Sequence, residues 1–301
     1  MKRKTIGLLM VLVSGVVFGL MPILKKGCVS GGANGALLLM SRFFFLSLVM
    51  LPLALRDGNL LRAFRENWKT ILLLVISEGP TPLLLYVAYD HLATGLVMTI
   101  HYLYPMVVVM WCALVYREKI SRNKAICLTL SLVGVFLTVD LSSDGISLFG
   151  VTLALLSAVT YAAYIVWLEK KETTSLTSAQ LAFFLGVGCF LIALVYALVI
   201  GTPANLPQVT AQGWLSLVGA GLLIGIGGSF LFMVGARRVD AQTAAISSTL
   251  EPLTSIIVGV CFMAEPMNLR IAIGCILILS AVTLMPIFTA KDEAGAMKEN
   301  A

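Results

Sequence analysis

The feature that most constrains this chain is a succession of long apolar segments that leaves no hydrophilic stretch for a soluble domain. Hydrophobic residues make up 59% of the 301 residues and charged residues only 12%, whereas charged residues are about 25% of a typical soluble domain. The mean hydropathy is +0.98. A single soluble core cannot bury so much apolar surface, so the composition predicts an all-α integral membrane protein.

About 20 apolar residues in a helix cross the hydrocarbon core of a bilayer. Ten segments approach this length, so we predict ten transmembrane helices. They cover residues 5–24, 33–55, 69–89, 93–116, 123–140, 149–168, 178–200, 213–236, 240–263 and 270–289. The first segment follows a basic "MKRK" but has no small-residue cleavage site, so we interpret it as a retained helix rather than a signal peptide.

The positions of Lys and Arg predict the orientation of these helices. With the N-terminus in the cytoplasm, 17 of the 21 basic residues fall on the cytoplasmic side, while only Lys25, Lys26 and Arg270 fall outside. Arg42 lies within a helix. The positive-inside bias therefore predicts that both termini are cytoplasmic, and we expect Lys25 and Lys26 to reach lipid headgroups. The net charge of +6 forms no patch, so no nucleic-acid partner is expected.

The second half of the chain repeats a pattern of the first half 147 residues later. "IHYLYP" (100–105) corresponds to "SSTLEP" (247–252). The identities include Leu103 with Leu250, Pro105 with Pro252 and Glu118 with Glu265. Each half would hold five helices, an odd number, so the second half would be inverted relative to the first. Inverted repeats are typical of secondary transporters.

These motifs make the chain similar to the EamA-type ten-helix branch of the drug/metabolite transporter superfamily. The resemblance is carried by "LEPLTSIIVGVCFMAEPMNLRIAIGCILILSAV", its counterpart around Pro105 and Glu118, and Arg42 in "LLLMSRFFF". It covers residues 6–139 and 149–289, and the charged tail 290–301 is predicted to be disordered. In that family a glycine commonly precedes the loop glutamate, where this chain has Arg117 and Ala264. The resemblance implies transport of a solute that it does not specify.

Few ionisable residues lie inside the predicted helices, where a charge costs about 2.5–3.5 kcal/mol or more. Arg42 and Glu78 are expected to form a structural ion pair, which leaves Glu251 without an obvious fixed counter-ion. Such an acid carries a proton or awaits a cation; the alternative is a protonated acid bonded to Thr249 or Thr254. Glu251, Glu78 and His101 are the candidate proton-coupling residues.

The two repeated phrases predict two walls of one cavity. Pro105 and Pro252 each remove a helical hydrogen bond and kink the chain, and Pro80 and Pro82 add breaks in the third helix. His101 and Tyr104 would form a basic, aromatic wall opposite Ser248 and Glu251. The predicted substrate-binding residues are Phe18, Glu78, Tyr86, His101, Tyr104, Tyr161, Ser248 and Glu251; Tyr89 and Tyr164 are near them in sequence.

Several functions are disfavoured by what the sequence lacks. It has no phosphate-binding lysine motif, no HExxH, no metal-ligating cluster and no nucleophile elbow, so neither enzymatic activity nor a cofactor is expected. The glycines of "GVVFG" (15–19) and "GAGLLIGIGG" (219–228) lie within apolar segments, and we interpret them as helix-packing positions. Glu118 and Glu265 are expected to have structural roles at turns and helix ends.

The expected function is secondary transport of a small organic solute across the inner membrane, as a monomer, by alternating access. The formal charges of Arg42, Glu78 and Glu251 sum to −1. This charge disfavours strong anions as substrates and favours an amino acid, an amine or a nucleobase-like metabolite. Export is the expected direction of transport. The alternative is a proton-independent facilitator or channel-like exchanger of the same solutes. A membrane enzyme would need a nucleophile or a metal cluster, and the sequence shows neither. A scaffold or receptor would not explain kinked helices with buried acids.

Overall fold

The computed structural model describes residues 2–92, 94–138, 147–171, 175–263 and 267–299, and in these ranges the chain is helical, with no strand. The helices are α1 (Lys2–Gly19), α2 (Met21–Ser30), α3 (Gly35–Arg56), α4 (Leu60–Glu78), α5 (Pro80–Tyr89), α6 (Thr94–His101), α7 (Tyr104–Val115), α8 (Arg122–Thr138), α9 (Leu148–Lys170), α10 (Ser178–Val199), α11 (Ala211–Leu222), α12 (Leu231–Ala236), α13 (Ala241–Ser247), α14 (Leu250–Met263) and α15 (Leu269–Glu299). A π-helical segment, Leu223–Phe230, joins α11 to α12, and a 3₁₀ helix, Thr202–Gln208, precedes α11.

Eight helical stretches of the described chain are long and apolar enough to cross a membrane: Arg3–Ser30, Gly35–Arg56, Leu60–Tyr89, Leu96–Val115, Leu148–Lys170, Ser178–Val199, Ala211–Ala236 and Ala241–Phe262. A shorter apolar helix covers Leu269–Met285, and α8 has 17 residues. Large apolar side chains such as Ile76, Val195 and Ile276 point outwards with more than half of their surface exposed. An apolar exterior of this kind suits lipid rather than water.

Three of these stretches are interrupted beside the prolines Pro80, Pro105 and Pro252. The chain leaves the α-helix at Gly79 before Pro80 and Pro82, at 102–103 before Pro105, and at 248–249 before Pro252. These interruptions were predicted, and they follow from the missing proline N–H. The π-helical segment was not predicted; there the Ser229 hydroxyl donates to the carbonyl of Ile224, five residues earlier, at 3.1 Å.

The packing brings the two halves of the chain together around α1 and α9. α3 packs against α10, and α8 packs against α15. α9 contacts α4, α5, α6 and α7, while α1 contacts α12, α13 and α14. α1 therefore packs mainly on the second half of the chain, and α9 packs mainly on the first.

Glycines allow close approaches between the two halves of the chain, as the sequence predicted. A Cβ added to Gly19 would lie 2.9 Å from the Glu251 carbonyl oxygen, and one added to Gly225 would lie 2.6 Å from the Arg42 carbonyl oxygen. Neither position has room for a larger residue without movement of the backbone. Gly219 is an exception, because a Cβ there would meet nothing within 4 Å.

Several boundaries differ from the prediction, and two differences are the largest. The third segment starts at Leu60 rather than residue 69, because Asn59 caps α4 by accepting a hydrogen bond from the Arg62 amide at 3.1 Å. The tail predicted to be disordered continues α15 as far as Glu299. Its Ala, Lys, Glu and Met residues are good helix formers, and they extend a helix that already exists.

Candidate functional site

A buried ion pair lies at the middle of the bundle. Arg42 on α3 and Glu78 at the end of α4 are in contact, with Nη2 and Oε1 2.8 Å apart and side chains only 11% and 8% exposed. Arg42 Nε also donates to the hydroxyl of Ser229 in the π-helical segment at 2.8 Å. The guanidinium lies 5.0 Å from the Phe18 ring centre and 4.8 Å from that of Phe43. We call Arg42 and Glu78 the central pair.

The central pair leaves one carboxylate oxygen unsatisfied. Glu78 Oε2 is buried and has no hydrogen-bond partner among the described residues. It borders a small cavity of about 10 Å³ that is also lined by Tyr164, Ser229 and Met233. A space of this size holds about one water molecule. A water or a proton at this oxygen would satisfy it.

An aromatic cluster lies beside the central pair. His101 contacts Tyr102, Tyr104 and Tyr161, with ring centres 5.4–5.7 Å apart. Tyr161 and Tyr164 lie within electrostatic reach of Glu78. We call His101, Tyr102, Tyr104, Tyr161 and Tyr164 the tyrosine cluster.

Hydroxyl groups orient two members of the tyrosine cluster. Ser157 donates to the Ala154 carbonyl at 2.7 Å, so it accepts from Nδ1 of His101 at 3.0 Å, and Nε2 keeps the lone pair. Ser248 likewise donates to a carbonyl, so it accepts from the Tyr104 hydroxyl at 2.7 Å. This second bond joins the two repeated phrases directly. His101 therefore bonds to α9, through a partner that was not predicted.

Glu251 lies in the first turn of α14, next to the interruption at 248–249. It makes no ion pair within 4 Å among the described residues, but Arg42 lies within electrostatic reach. The Tyr102 hydroxyl faces this carboxylate, although the geometry falls short of a hydrogen bond. Thr249 and Thr254 donate to the carbonyls of Ile246 and Leu250.

Lys25 and two tyrosines form a separate group towards one end of the bundle. The Lys25 ammonium lies 5.9 Å from the ring centre of Tyr86 and 5.5 Å from that of Tyr89. The Tyr89 hydroxyl donates to the Met98 sulfur at 2.9 Å. Lys25, which was expected to contact lipid headgroups, is exposed, and its ammonium also lies over these rings. We call Tyr86 and Tyr89 the Lys25 platform.

The opposite end carries a network of paired charges. Lys170 binds both Glu118 and Glu169, and the amide of Gln242 donates to Glu118 at 2.8 Å. Lys124 pairs with Asp240 at 2.7 Å. We call these charged side chains the polar end; they belong to α8, α9, the 116–121 connection and the start of α13.

The surroundings of Asp240 at the polar end favour its ionised form. Burial acts to raise the pKa of the Asp240 carboxyl, but Lys124 and two hydrogen bonds from Thr243 offset this, so the pKa lies below its usual value. Glu118 lies in a connection, as predicted, whereas Glu265 lies outside the described residues. Arg117 has φ of 54°, a left-handed conformation that favours glycine, and glycine is common there in the family that the sequence resembles.

The structure sorts the predicted site residues into neighbouring groups. Phe18 and Glu78 meet at Arg42. His101, Tyr104, Tyr161 and Ser248 meet in or beside the tyrosine cluster. Glu251 lies near Tyr102 and Arg42, and Tyr86 lies under Lys25, within electrostatic reach of Arg42. Tyr102 and Ser229 were missed. The sequence shows only that each residue places a hydroxyl group inside an apolar segment. It does not show which side chain that hydroxyl contacts. The described residues hold no cluster of His, Cys, Asp or Glu fit for a metal ion.

A bundle of apolar, membrane-length helices with ionisable and aromatic groups on interrupted helices in its interior defines a polytopic membrane protein with an embedded polar site. The EamA-like transporter family matches this chain over residues 5–140 and 148–286. The chain belongs to that family, which lies in the drug/metabolite transporter superfamily, as predicted.

Relatives with transporter names support the same class. An uncharacterised inner membrane transporter, YicL, of Salmonella typhimurium is 25% identical over 96% of this chain and 98% of its own length. A probable biotin transporter of Pseudomonas aeruginosa is 28% identical over 84% and 88%, and the biotin transporter of Escherichia coli K12 is 24% identical over 71% and 70%. The family and these names point to a transporter rather than an enzyme.

A solved crystal structure superposes on this chain with a TM-score of 0.77. The sequence identity is 19%, and the superposition covers 95% of this chain and 98% of that one, so it shows the fold alone. The predicted location, a multi-pass protein of the inner membrane, agrees with the apolar helices, the family and the inner-membrane relative.

Proposed function

We propose that this protein is a secondary carrier that moves a small organic solute across the inner membrane by alternating access. Residues 6–139 and 149–289 would form two inverted units of five transmembrane helices each, with both termini in the cytoplasm. The family matches two ranges of similar length, and α1 and α9 each pack mainly on the other half. Since the two units already supply both halves of a pathway, we propose a monomer.

The observation that carries the proposal is the meeting of the two interrupted helices at the charged middle of the bundle. Tyr104 and Ser248, one from each repeated phrase, are bonded at 2.7 Å. Glu251 follows Ser248 by less than one turn and lies within electrostatic reach of Arg42. Ionisable groups in a membrane interior usually mark a solute or ion pathway. Polar groups on discontinuous helices are the typical binding site of such carriers.

Amino acids, amines and nucleobase-like metabolites are the proposed solute class. The tyrosine cluster offers aromatic faces, and the acids of the interior favour N–H donors over strong anions. Two biotin transporters among the relatives add biotin, whose ring presents N–H donors and whose chain carries a carboxylate. Glu251, Glu78 and His101 are the proposed proton-coupling residues, because Glu78 Oε2 lacks a partner and His101 Nε2 keeps a lone pair.

The polar end supports a state that is closed towards the cytoplasm. Its ion pairs connect α9 with the 116–121 connection, and α8 with the start of α13. In the proposed orientation these elements lie on the cytoplasmic side, so their separation would open the inward route. Export is the direction that we propose to test first.

The test is the thermal stability of the purified protein in detergent against a library of amino acids, nucleobases, amines and biotin. A ligand that binds the folded state raises the melting temperature, by an amount equivalent to about 2.7 kcal/mol at 100 times Kd. We expect a stabilising compound whose effect is lost in Glu251→Gln. The matched control is Glu66→Gln, which changes an exposed acid on α4.

The outcomes separate the parts of the proposal. A compound that stabilises both variants equally would remove Glu251 from the site while keeping the solute class. No stabilising compound in the whole library would contradict the small-solute proposal. Counterflow in proteoliposomes then distinguishes a carrier from a channel-like facilitator, because a preloaded carrier accumulates labelled solute transiently and a pore does not.

A further inference from the structure

Lys25 differs from its neighbour Lys26 in where its ammonium lies. Both are exposed residues on α2, and Lys25 lies over the two rings of the Lys25 platform at 5.9 and 5.5 Å, a contact that Lys26 lacks. Neither lysine makes an ion pair with a carboxylate of the described residues. A lysine that served lipid headgroups alone would have no need of this orientation, since snorkelling side chains extend towards the interface.

The Lys25 platform is electrostatically linked to the site in the middle of the bundle. Tyr89 and Tyr102 both lie within electrostatic reach of the Glu251 carboxylate, and Tyr86 lies within reach of Arg42. Tyrosine rings thus lie between a cation at one end and a carboxylate further in. Such an arrangement is complementary to a solute with an anionic group at one end and N–H donors at the other.

We infer that Lys25 is a specificity-determining residue that binds the carboxylate of the transported solute. The inference rests on the proposed function and narrows it to organic monocarboxylates with N–H donors at the far end, a class that includes zwitterionic amino acids and biotin. The tyrosine rings would hold the body of the solute, and Glu251 would accept its N–H groups. A charge-assisted contact between ammonium and carboxylate is the strong contact in this arrangement.

The test compares free carboxylates with their methyl esters. Binding of phenylalanine, tryptophan and biotin, and of each methyl ester, is measured on the full chain in a maltoside detergent without phospholipid. We expect the wild type to prefer the carboxylates, and Lys25→Met to weaken carboxylate binding by about tenfold or more while leaving the esters unchanged. Lys25→Arg should retain part of the preference, and Lys26→Met, the matched control, should retain all of it.

Two results would overturn the inference without affecting the proposed function. One is equal or better binding of esters by the wild type, and the other is an unchanged preference in Lys25→Met. If no compound of the wider library binds, both proposals fail together. A lipid role is tested separately in nanodiscs with and without phosphatidylglycerol: if Lys25→Met loses only the stabilisation by this anionic lipid, Lys25 serves the headgroup and the carboxylate inference is wrong.

Discussion

The polar end and the middle of the bundle both contain acidic side chains, but they satisfy them differently. At the polar end Glu118, Glu169 and Asp240 each contact a lysine. In the middle, one carboxylate oxygen of Glu78 accepts a hydrogen bond from Arg42, and the other has no partner among the described residues. Glu251 makes no ion pair among these residues. The paired charges hold elements together, whereas the incompletely satisfied acids retain capacity for a proton, a water or a solute.

This difference follows from the surroundings of the two regions. Side chains of the polar end are about one fifth to one third exposed, so water screens them and each pair is weak alone. The central pair is buried, so a lost partner cannot be replaced by solvent. The polar end can therefore open and close at modest cost, while separation of the central pair would cost much more.

The largest expected effect is at the central pair. Arg42→Met should destabilise the protein by about 3–5 kcal/mol, because it leaves Glu78 buried without its cation. Unfolding of the purified protein in detergent measures the loss. Replacing both residues by methionine should recover much of it, since no unpaired charge remains. A double variant as unstable as Arg42→Met would mean that the pair contributes through more than charge.

A smaller effect is expected at the polar end. Lys170→Met removes the cation shared by Glu118 and Glu169, and we expect a loss of about 1–2 kcal/mol after allowance for solvent screening. It should also open the route to the buried thiol of Cys112, which lies within electrostatic reach of Lys170 and both acids. Labelling by a membrane-impermeant maleimide, in a background without the other five cysteines, measures this opening.

The neighbouring Lys171→Met is the matched control for Lys170, because Lys171 is exposed and makes no ion pair among the described residues. Its labelling rate should equal that of the background protein. Equal rates for Lys170→Met and Lys171→Met would mean that the ion pairs of the polar end do not close the cytoplasmic route.

The smallest effect is a pH dependence at Asp240. Its pKa in the folded protein lies below the unfolded value of about 3.9, so the Lys124 pair stabilises the protein fully above that value. The stabilisation is lost as the pH falls through the folded pKa. Asp240→Asn keeps a capping side chain but removes the charge, so we expect it to be less stable by up to about 1 kcal/mol near neutral pH.

Melting temperatures of the wild type and Asp240→Asn between pH 3 and 7 test this prediction. The difference between them should stay constant above about pH 5 and shrink towards pH 3. A difference that does not change with pH would show that Asp240 acts as a cap for α13 and not through its charge.

The candidate site was predictable to different degrees at different residues. The contact between Arg42 and Glu78 could be anticipated because few charged residues occur within the apolar segments, and a buried charge needs a partner. The interruptions near Pro80, Pro105 and Pro252 follow from local backbone chemistry. Ser229 was not predicted as a partner of Arg42, because a single hydroxyl in an apolar segment carries no information about which helix it faces.

His101 and Lys25 show a second limit of the sequence. His101 bonds to Ser157, 56 residues later in the chain, a partner that the sequence did not indicate. The ammonium of Lys25 lies over Tyr86 and Tyr89 on another helix, a contact that the sequence did not indicate. In both cases the contact partner depends on how one helix is rotated relative to another. The spacing of residues along a single helix does not determine this rotation.

By itself the sequence determined that the chain crosses a membrane as helices, where prolines interrupt them, and which charges must be kept from lipid. These properties depend on segment length, apolar composition and local backbone chemistry. The tertiary structure decided which side chains meet. Lipid tails are as apolar as the interior of the bundle, so hydrophobic periodicity does not mark the inward face of a membrane helix. Close approaches such as Gly19 against Glu251 and Gly225 against Arg42 fix the helix rotations, and they join residues more than 180 positions apart.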